Sequence, residues 1–439
     1  MYLFSKFFNS KQNYLNLLIF LIPISFVAGN MIININLILL IISTLILFNK
    51  DVFRIKFYLL DKLIFSYFFL ILLTGIINDY YFYSIQLAWK GYFATVIKSL
   101  FFFKYLLIYI VLRFLIERDK INLKYFYISC AFASLFVSLD VIYQFFNGRD
   151  IFGFESVKSK LGGPFGDELI AGGYIQRFSI FAFFLIPFFF NSKNTKKYLT
   201  YLIPILFIIF LTGIIFSGNR MPLILFLLSI FLIIIFQKQT RKFLIPFIFI
   251  FIITFFLITN FSSKIKDQFG SFVFQISEMT VLIIEKDFTS KRSPPYLKEF
   301  VTFYDTWLMH KYIGGGIKNF RYYCHERSNI RKDTKFICNM HPHNYYLEIL
   351  TETGLIGFLL ISVSFILMLY NTLYIKYFTN SKLKDNKIII PFIFLFFVEI
   401  FPIKSTGSFF TTGNATYLFI IIGILIGLSR KDISFEKKS

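Results

Sequence analysis

Long apolar stretches alternate with short polar segments along almost all of the 439-residue chain. Many of the apolar stretches approach the roughly 17–25 residues that a transmembrane helix needs, and they lack the alternating pattern of a membrane β-barrel strand. The pattern predicts an all-α polytopic membrane protein with about twelve transmembrane helices. They are expected at residues 14–29, 31–48, 60–77, 92–112, 125–146, 174–190, 198–216, 221–237, 243–260, 345–372, 388–403 and 415–429.

One polar segment, residues 261–344, is much longer than the others. It divides the chain into three parts. Residues 1–260 hold the first nine predicted helices, residues 261–344 form a long loop, and residues 345–439 hold the last three helices and a tail.

Basic residues decide the expected orientation of these helices. Lys and Arg are concentrated in the two termini and in every second connection, and cytoplasmic connections carry this excess in membrane proteins. We therefore expect a multi-pass protein of a bacterial inner membrane, with both termini cytoplasmic and the 261–344 loop periplasmic. The formal net charge of +22 fits this topology and contact with anionic membrane lipids. The sequence shows no nucleic-acid-binding module.

Two of the four histidines, His341 and His343, lie at the end of the long loop, directly before a predicted helix. Imidazole is the side chain whose ordinary pKa lies nearest neutrality, which makes it the commonest general base. We predict a catalytic role for this pair. The alternative is a polar cap at the start of the helix.

Two arginines are predicted on the periplasmic side at or near membrane depth. Arg220 lies in the turn Ser217-Gly-Asn-Arg220, and Arg177 begins the sixth predicted helix. Ionisable groups at this depth are costly and usually functional, and the guanidinium fork suits phosphate groups. Each arginine is predicted to bind an anion. The alternatives are contact with lipid headgroups or pairing with a carboxylate.

The long loop also carries a glycine segment and two cysteines. Gly314 and Gly316 belong to a triple glycine whose backbone amides can approach an anion, although triple glycine also occurs in ordinary loops. Cys324 and Cys338 are predicted to form a disulfide, because the periplasm is oxidising. A zinc site that includes both cysteines would not fit a common ligand spacing, and we predict no metal and no cofactor.

These motifs together resemble the O-antigen ligase and O-antigen polymerase superfamily. The resemblance rests on His341-Pro-His-Asn-Tyr-Tyr-Leu-Glu348 followed by Glu352-Thr-Gly-Leu-Ile-Gly357, on Gly314-Gly-Gly-Ile-Lys-Asn-Phe320, and on the turn that ends at Arg220. It is best over about residues 210–360. Met221 departs from the family, which often has glycine after the arginine.

The resemblance implies a metal-independent, inverting glycosyltransferase with its active site on the periplasmic face. The donor would be a glycan linked to undecaprenyl diphosphate. His343 would act as general base and Arg220 would hold the diphosphate. Arg177 is a weaker match to the family and is predicted to contact substrate, as are Asn344 and the glycine segment. His341 has no firm counterpart in the family and is predicted either to support His343 or to bind the acceptor.

The resemblance leaves two reactions open. A ligase would transfer glycan to a lipid A–core acceptor, which we favour, and a polymerase would transfer it to another lipid-linked glycan. Two other classes also remain, a transporter of lipid-linked glycan and a membrane scaffold. A transporter needs charges along a path through the bilayer, whereas the charges here cluster on one face, with Asp140 and Glu399 as the main exceptions.

Overall fold

The computed structural model describes residues 11–81, 93–155, 160–189, 195–237, 244–285, 294–327, 338–339, 341, 343–405 and 407–435. These ranges are mostly helical and contain no β-strand, and an isolated bridge pairs Arg149 with Glu155. The predicted all-α class is confirmed.

The helices of the first half follow one another closely along the chain. They are α1 (Lys11–Ala28), α2 (Asn30–Phe48), α3 (Leu59–Tyr81), α4 (Ala94–Phe102), α5 (Lys104–Glu117), α6 (Lys124–Asn147), α7 (Ala171–Phe178), α8 (Ile180–Phe189) and α9 (Thr195–Phe216). The second half contains α10 (Arg220–Phe236), α11 (Leu244–Phe261), α12 (Ser263–Glu285), α13 (Pro295–Trp307), α14 (Tyr345–Leu369), α15 (Ile390–Glu399) and α16 (Thr412–Phe435).

Six helical segments of the described chain are long and apolar enough to cross a membrane, or seven if a bent pair counts as one span. The six are Asn30–Arg54, Leu59–Tyr80, Ala94–Glu117, Lys124–Asn147, Tyr345–Phe378 and Thr412–Lys431. Other predicted spans correspond to shorter apolar helices. A turn at Ser179 divides the span expected at 174–190 into α7 and α8, and α15 has only 10 residues. The structure therefore supports fewer full-length spans than the twelve predicted.

Helices α5 and α16 form the most deeply buried pair of the bundle. Almost every side chain of α5 from Ile108 to Ile116 is buried, and so are the residues of α16 from Ala415 to Leu428. Aromatic rings from neighbouring elements close around them, including Phe68, Phe102 and Phe419, whose ring centroids lie 5.3–6.1 Å apart. This packed core fixes the relative positions of the helices and therefore of the polar residues at their ends.

The two ends of α3 carry different polar contacts. At its start, the buried Asp61 binds Arg113 and receives an ion pair from Arg430 at 2.7 Å. Near its other end, the Thr74 hydroxyl donates to the carbonyl of Ile313 at 3.1 Å. The charged cluster and the glycine segment therefore lie at opposite ends of the bundle.

The described part of the segment 261–344 is largely helical. It contains α12 and α13, and the axis of α12 turns by 117° from that of α11. Helix α13 packs on α14 through Phe303, which belongs to a small apolar cluster with Phe320, Cys324 and Leu347. This region therefore forms an ordered cover at the start of α14.

A disulfide joins Cys324 to Cys338 within this cover. It ties the residues just before His341 to the apolar cluster around Phe303. The third cysteine, Cys130, is buried in α6.

Loss of this disulfide should destabilise the protein by about 3 kcal/mol in the chain-entropy model for a ring of this length. The Cys324→Ser/Cys338→Ser variant should unfold earlier than the wild type in thermal denaturation. A reductant should bring the wild type to the level of the variant and leave the variant unchanged, which serves as the control. Mass spectrometry that finds both thiols free in protein isolated without reductant would contradict the assignment.

Candidate active site

Asn344 fixes the position of the histidine pair by capping α14. Its side-chain oxygen accepts the backbone amides of Tyr346 and Leu347 at 2.9 and 3.2 Å. Its side-chain amide donates to the carbonyls of Pro402 and Lys404 at 2.7 and 3.2 Å. These contacts give Asn344 a structural role at the start of α14. Its contact with substrate stays a prediction, since Asn344 also lines the cavity that His343 lines.

His341 and His343 lie side by side immediately before this cap. Their ring centroids are 5.4 Å apart, the rings are nearly perpendicular, and both residues are half-buried. Burial lowers the pKa of both imidazoles. The positive charges of His343 and Lys318 lower the pKa of His341 further. The positive charge of Lys160 lowers the pKa of His343 further. Both rings are therefore neutral at pH 7 and able to accept a proton.

His343 borders a large apolar cavity of about 1050 Å³. The cavity lies among α10, α12, α13, α14 and α15. Its apolar walls are formed by residues such as Met221, Phe272, Ile276, Phe300, Phe365 and Phe397. A cavity with such walls and few polar groups suits a hydrocarbon chain rather than a free sugar.

Arg220, at the start of α10, lies next to residues that line this cavity. Its guanidinium donates to the Ser271 hydroxyl at 2.9 Å and lies 5.5 Å from the ring centroid of Phe272. Both Phe272 and Met221, the residue after Arg220, line the cavity. The turn that carries Arg220 therefore adjoins the cavity that His343 lines, although the two residues are far apart in sequence.

Arg177 lies in a buried polar cluster behind the histidines. It forms an ion pair with Glu399 at 2.7 Å and donates to Asn414 at 2.7 Å and to the Tyr345 hydroxyl at 3.4 Å. Lys404 binds the same Glu399 carboxylate at 2.5 Å. Of the two alternatives weighed for Arg177, the structure shows pairing with a carboxylate.

The glycine segment packs against a break in α14. Gly354 interrupts the helix with φ 67°, and a Cβ atom at Gly314 would lie 2.4 Å from the backbone of α14. The amides of Gly315 and Gly316 donate to the carbonyls of Thr351 and Glu352, each at 2.9 Å, and the amide of Gly314 donates to that of His310. Because these amides already have protein acceptors, the predicted binding of an anion by Gly314 and Gly316 has no geometric support.

Several residues of the site had no role assigned from sequence. Tyr345 and Lys404 belong to the cluster around Arg177, and Glu299 on α13 lines the cavity beside His343. Glu399 stood out only as a charge within an apolar stretch. Glu299 carried no signal, because an acidic residue in a long polar segment is ordinary.

Two further observations concern metal binding. Among the described residues no group of three or more His, Cys, Asp and Glu side chains is placed to hold a metal ion. Cys324 and Cys338 are bonded to each other, so neither sulfur serves as a zinc thiolate.

Residues 205–362 match the sequence model of a family described as O-antigen ligase. This segment contains Arg220, the glycine segment and His343, so the predicted resemblance to the O-antigen ligase and polymerase superfamily is confirmed. The match supports a glycosyltransferase-like activity of this general type, with lipid-linked glycans as substrates. Arg177, Glu399 and Lys404 lie outside it. No curated protein sequence matches the chain.

Proposed function

We propose that this protein is an O-antigen ligase-type glycosyltransferase. It transfers glycan from undecaprenyl diphosphate to a lipid A–core acceptor at the periplasmic face of a bacterial inner membrane. The observation that carries the proposal is the cavity with apolar walls that His343 lines. Met221 and Phe272, the neighbours of Arg220 in sequence and in space, line the same cavity. A polyprenyl diphosphate has the same division into a hydrocarbon chain and an anionic end.

In the proposed reaction, neutral His343 accepts the proton of the acceptor hydroxyl. The acceptor oxygen attacks the anomeric carbon of the donor sugar, and the bond between this carbon and the diphosphate oxygen breaks on the opposite side. The configuration at the anomeric carbon is therefore inverted. A positioned general base typically contributes about 10²–10⁴-fold to the rate.

Arg220 stabilises the departing diphosphate in this proposal. Its guanidinium can form paired hydrogen bonds with phosphate oxygens, and it is the first residue of α10, a helix of 17 residues. The partial positive charge at that helix start favours an anion in the same place. The chain's own cationic groups thus provide the neutralisation that the reaction needs.

The remaining candidates act around these two residues. His341, half-buried beside His343, is proposed to contact the acceptor. Arg177 is proposed to support the base indirectly, since it holds Tyr345, which lies two residues after His343. Asn344 and the glycine segment fix the start and the break of α14.

The described charges give little support to transport. Asp140 and Glu399 were the charges that would mark a path through the bilayer. Asp140 accepts the backbone amide of Ile151 at 3.0 Å, in the connection after α6. Glu399 is paired with Arg177 and Lys404.

Deletion of the gene in its native bacterium should distinguish a ligase from a polymerase. We expect lipopolysaccharide that consists of bare core, with glycan polymer accumulating on the lipid carrier, as seen on gels and by mass spectrometry of extracted lipids. Expression of the wild-type gene should restore the full ladder, whereas a His343→Ala copy should not. Core that bears a single repeat unit without a ladder would identify a polymerase instead. An unchanged ladder would refute both.

A further inference from the structure

Glu299 is a buried carboxyl group that the proposed reaction does not yet use. It lies in the first half of α13, is 8% exposed, and lines the same cavity as His343. The Asn339 side-chain amide donates to its Oε1, and no Lys or Arg of the described chain forms an ion pair with it. A carboxylate in apolar surroundings without a cation is energetically costly, so the neutral acid is favoured.

The position of Glu299 relative to the histidines is held from two sides. One turn further along α13, Phe303 stacks on Phe320 with ring centroids 3.5 Å apart and packs against Leu347 of α14. Asn339 follows the disulfide-bonded Cys338 and precedes His341 by two residues. The carboxyl group is therefore fixed at the polar border of the cavity.

We propose that Glu299 is a further catalytic residue that acts in its protonated form and donates a hydrogen bond to the leaving diphosphate. This inference rests on the proposed function. Asn339 engages Oε1, which leaves the Oε2 hydroxyl to point to a substrate oxygen. A neutral acid donates without adding a negative charge beside the phosphates, whereas an ionised carboxylate would repel them.

The proton balance closes without transfer from Glu299. The proton of the acceptor hydroxyl passes to His343, and the electron pair of the broken anomeric bond leaves with the diphosphate oxygen. Glu299 keeps its O–H bond and stabilises the new charge on that oxygen. After the products leave, the His343 imidazolium releases its proton to water.

The pKa values of the two residues predict a narrow pH optimum. Burial raises the pKa of Glu299 to about 7, partly opposed by the hydrogen bond from Asn339, while it lowers that of His343 below its usual value. Activity should rise with pH as His343 loses its proton and should fall above about pH 7 as Glu299 ionises. Other charged or titratable groups on the surrounding segments include His341, Arg220, Glu278, Lys298, Asp305, Tyr346, Glu348, Glu352 and Lys404.

The test compares pH profiles of kcat/KM for purified full-length protein with a lipid-linked glycan donor. Glu299→Gln keeps an N–H donor at every pH, so it should remain active and lose the fall above pH 7. Glu299→Ala should lose about 10²-fold or more, as expected for removal of a preorganised donor. Glu278→Gln, which neutralises another carboxylate of the same region, should retain the wild-type profile.

The outcomes separate this proposal from the proposed function. A Glu299→Gln variant that keeps the wild-type fall above pH 7, or that is as inactive as Glu299→Ala, would overturn the role of Glu299. A wild-type protein that transfers no glycan, or whose activity does not depend on His343, would overturn the proposed function itself.

Discussion

Replacing His343 with alanine will reduce glycan transfer by about 10²–10⁴-fold, the usual contribution of a general base. The His343 side chain is half-buried, and its position is fixed by the neighbouring Asn344 cap of α14. The substitution leaves this cap intact. The variant should therefore still insert into the membrane and accumulate. The measurement is the initial rate of transfer by purified protein at equal concentration, with membrane levels compared by immunoblot.

Two matched variants sharpen this prediction. His341→Ala removes the neighbouring imidazole and should have a milder effect, because His341 is assigned to the acceptor rather than to proton transfer. Arg220→Lys should recover little of the activity lost in Arg220→Ala, since an ammonium group lacks the paired donors of a guanidinium. Near wild-type rates in His343→Ala would exclude the general-base role.

The helical class of the protein follows directly from its apolar stretches, but the number of full spans does not. Hydropathy registers the length of an apolar run and is insensitive to a turn within it. The residues after Ser179 form an apolar run that continues the predicted span, yet the chain turns at Ser179 and forms two short helices. The bend between α11 and α12 is likewise set by packing, which the sequence pattern does not record.

The candidate site shows a similar division. The histidine pair was singled out because imidazole is the commonest general base, and Arg220 because a charge near membrane depth is costly. Their roles stay predictions. The partners of Arg177 could not be predicted, because Glu399 and Lys404 lie more than 200 positions away in the sequence. The glycine segment was predicted to bind an anion, whereas two of its backbone amides donate to carbonyls at the break in α14. This contact joins segments that are distant in sequence.

Neutralising Glu399 should destabilise the protein more than removing either of its cations. The Glu399 side chain is 1% exposed and is shared by Arg177 and Lys404. Glu399→Gln leaves two buried cations without a carboxylate, and breaking a buried pair in this way typically costs about 3–5 kcal/mol. Lys404→Met leaves Glu399 balanced by Arg177 and should cost less. Thermal denaturation of the purified variants in detergent measures both effects.

The double variant Glu399→Gln/Lys404→Met provides the decisive comparison. It leaves one buried cation rather than two, so it should be more stable than Glu399→Gln alone. Together with both single variants and the wild type it completes a double-mutant cycle, which gives the coupling between the two residues. If Glu399→Gln were instead as stable as the wild type, some other anion would have to neutralise Arg177. A phosphate group of the substrate is the obvious source, and addition of lipid diphosphate should then stabilise that variant. Such a result would mean that Arg177 binds the anion directly, as the sequence predicts. The expected loss of stability would instead mean that Arg177 supports Tyr345 and the histidines beside it.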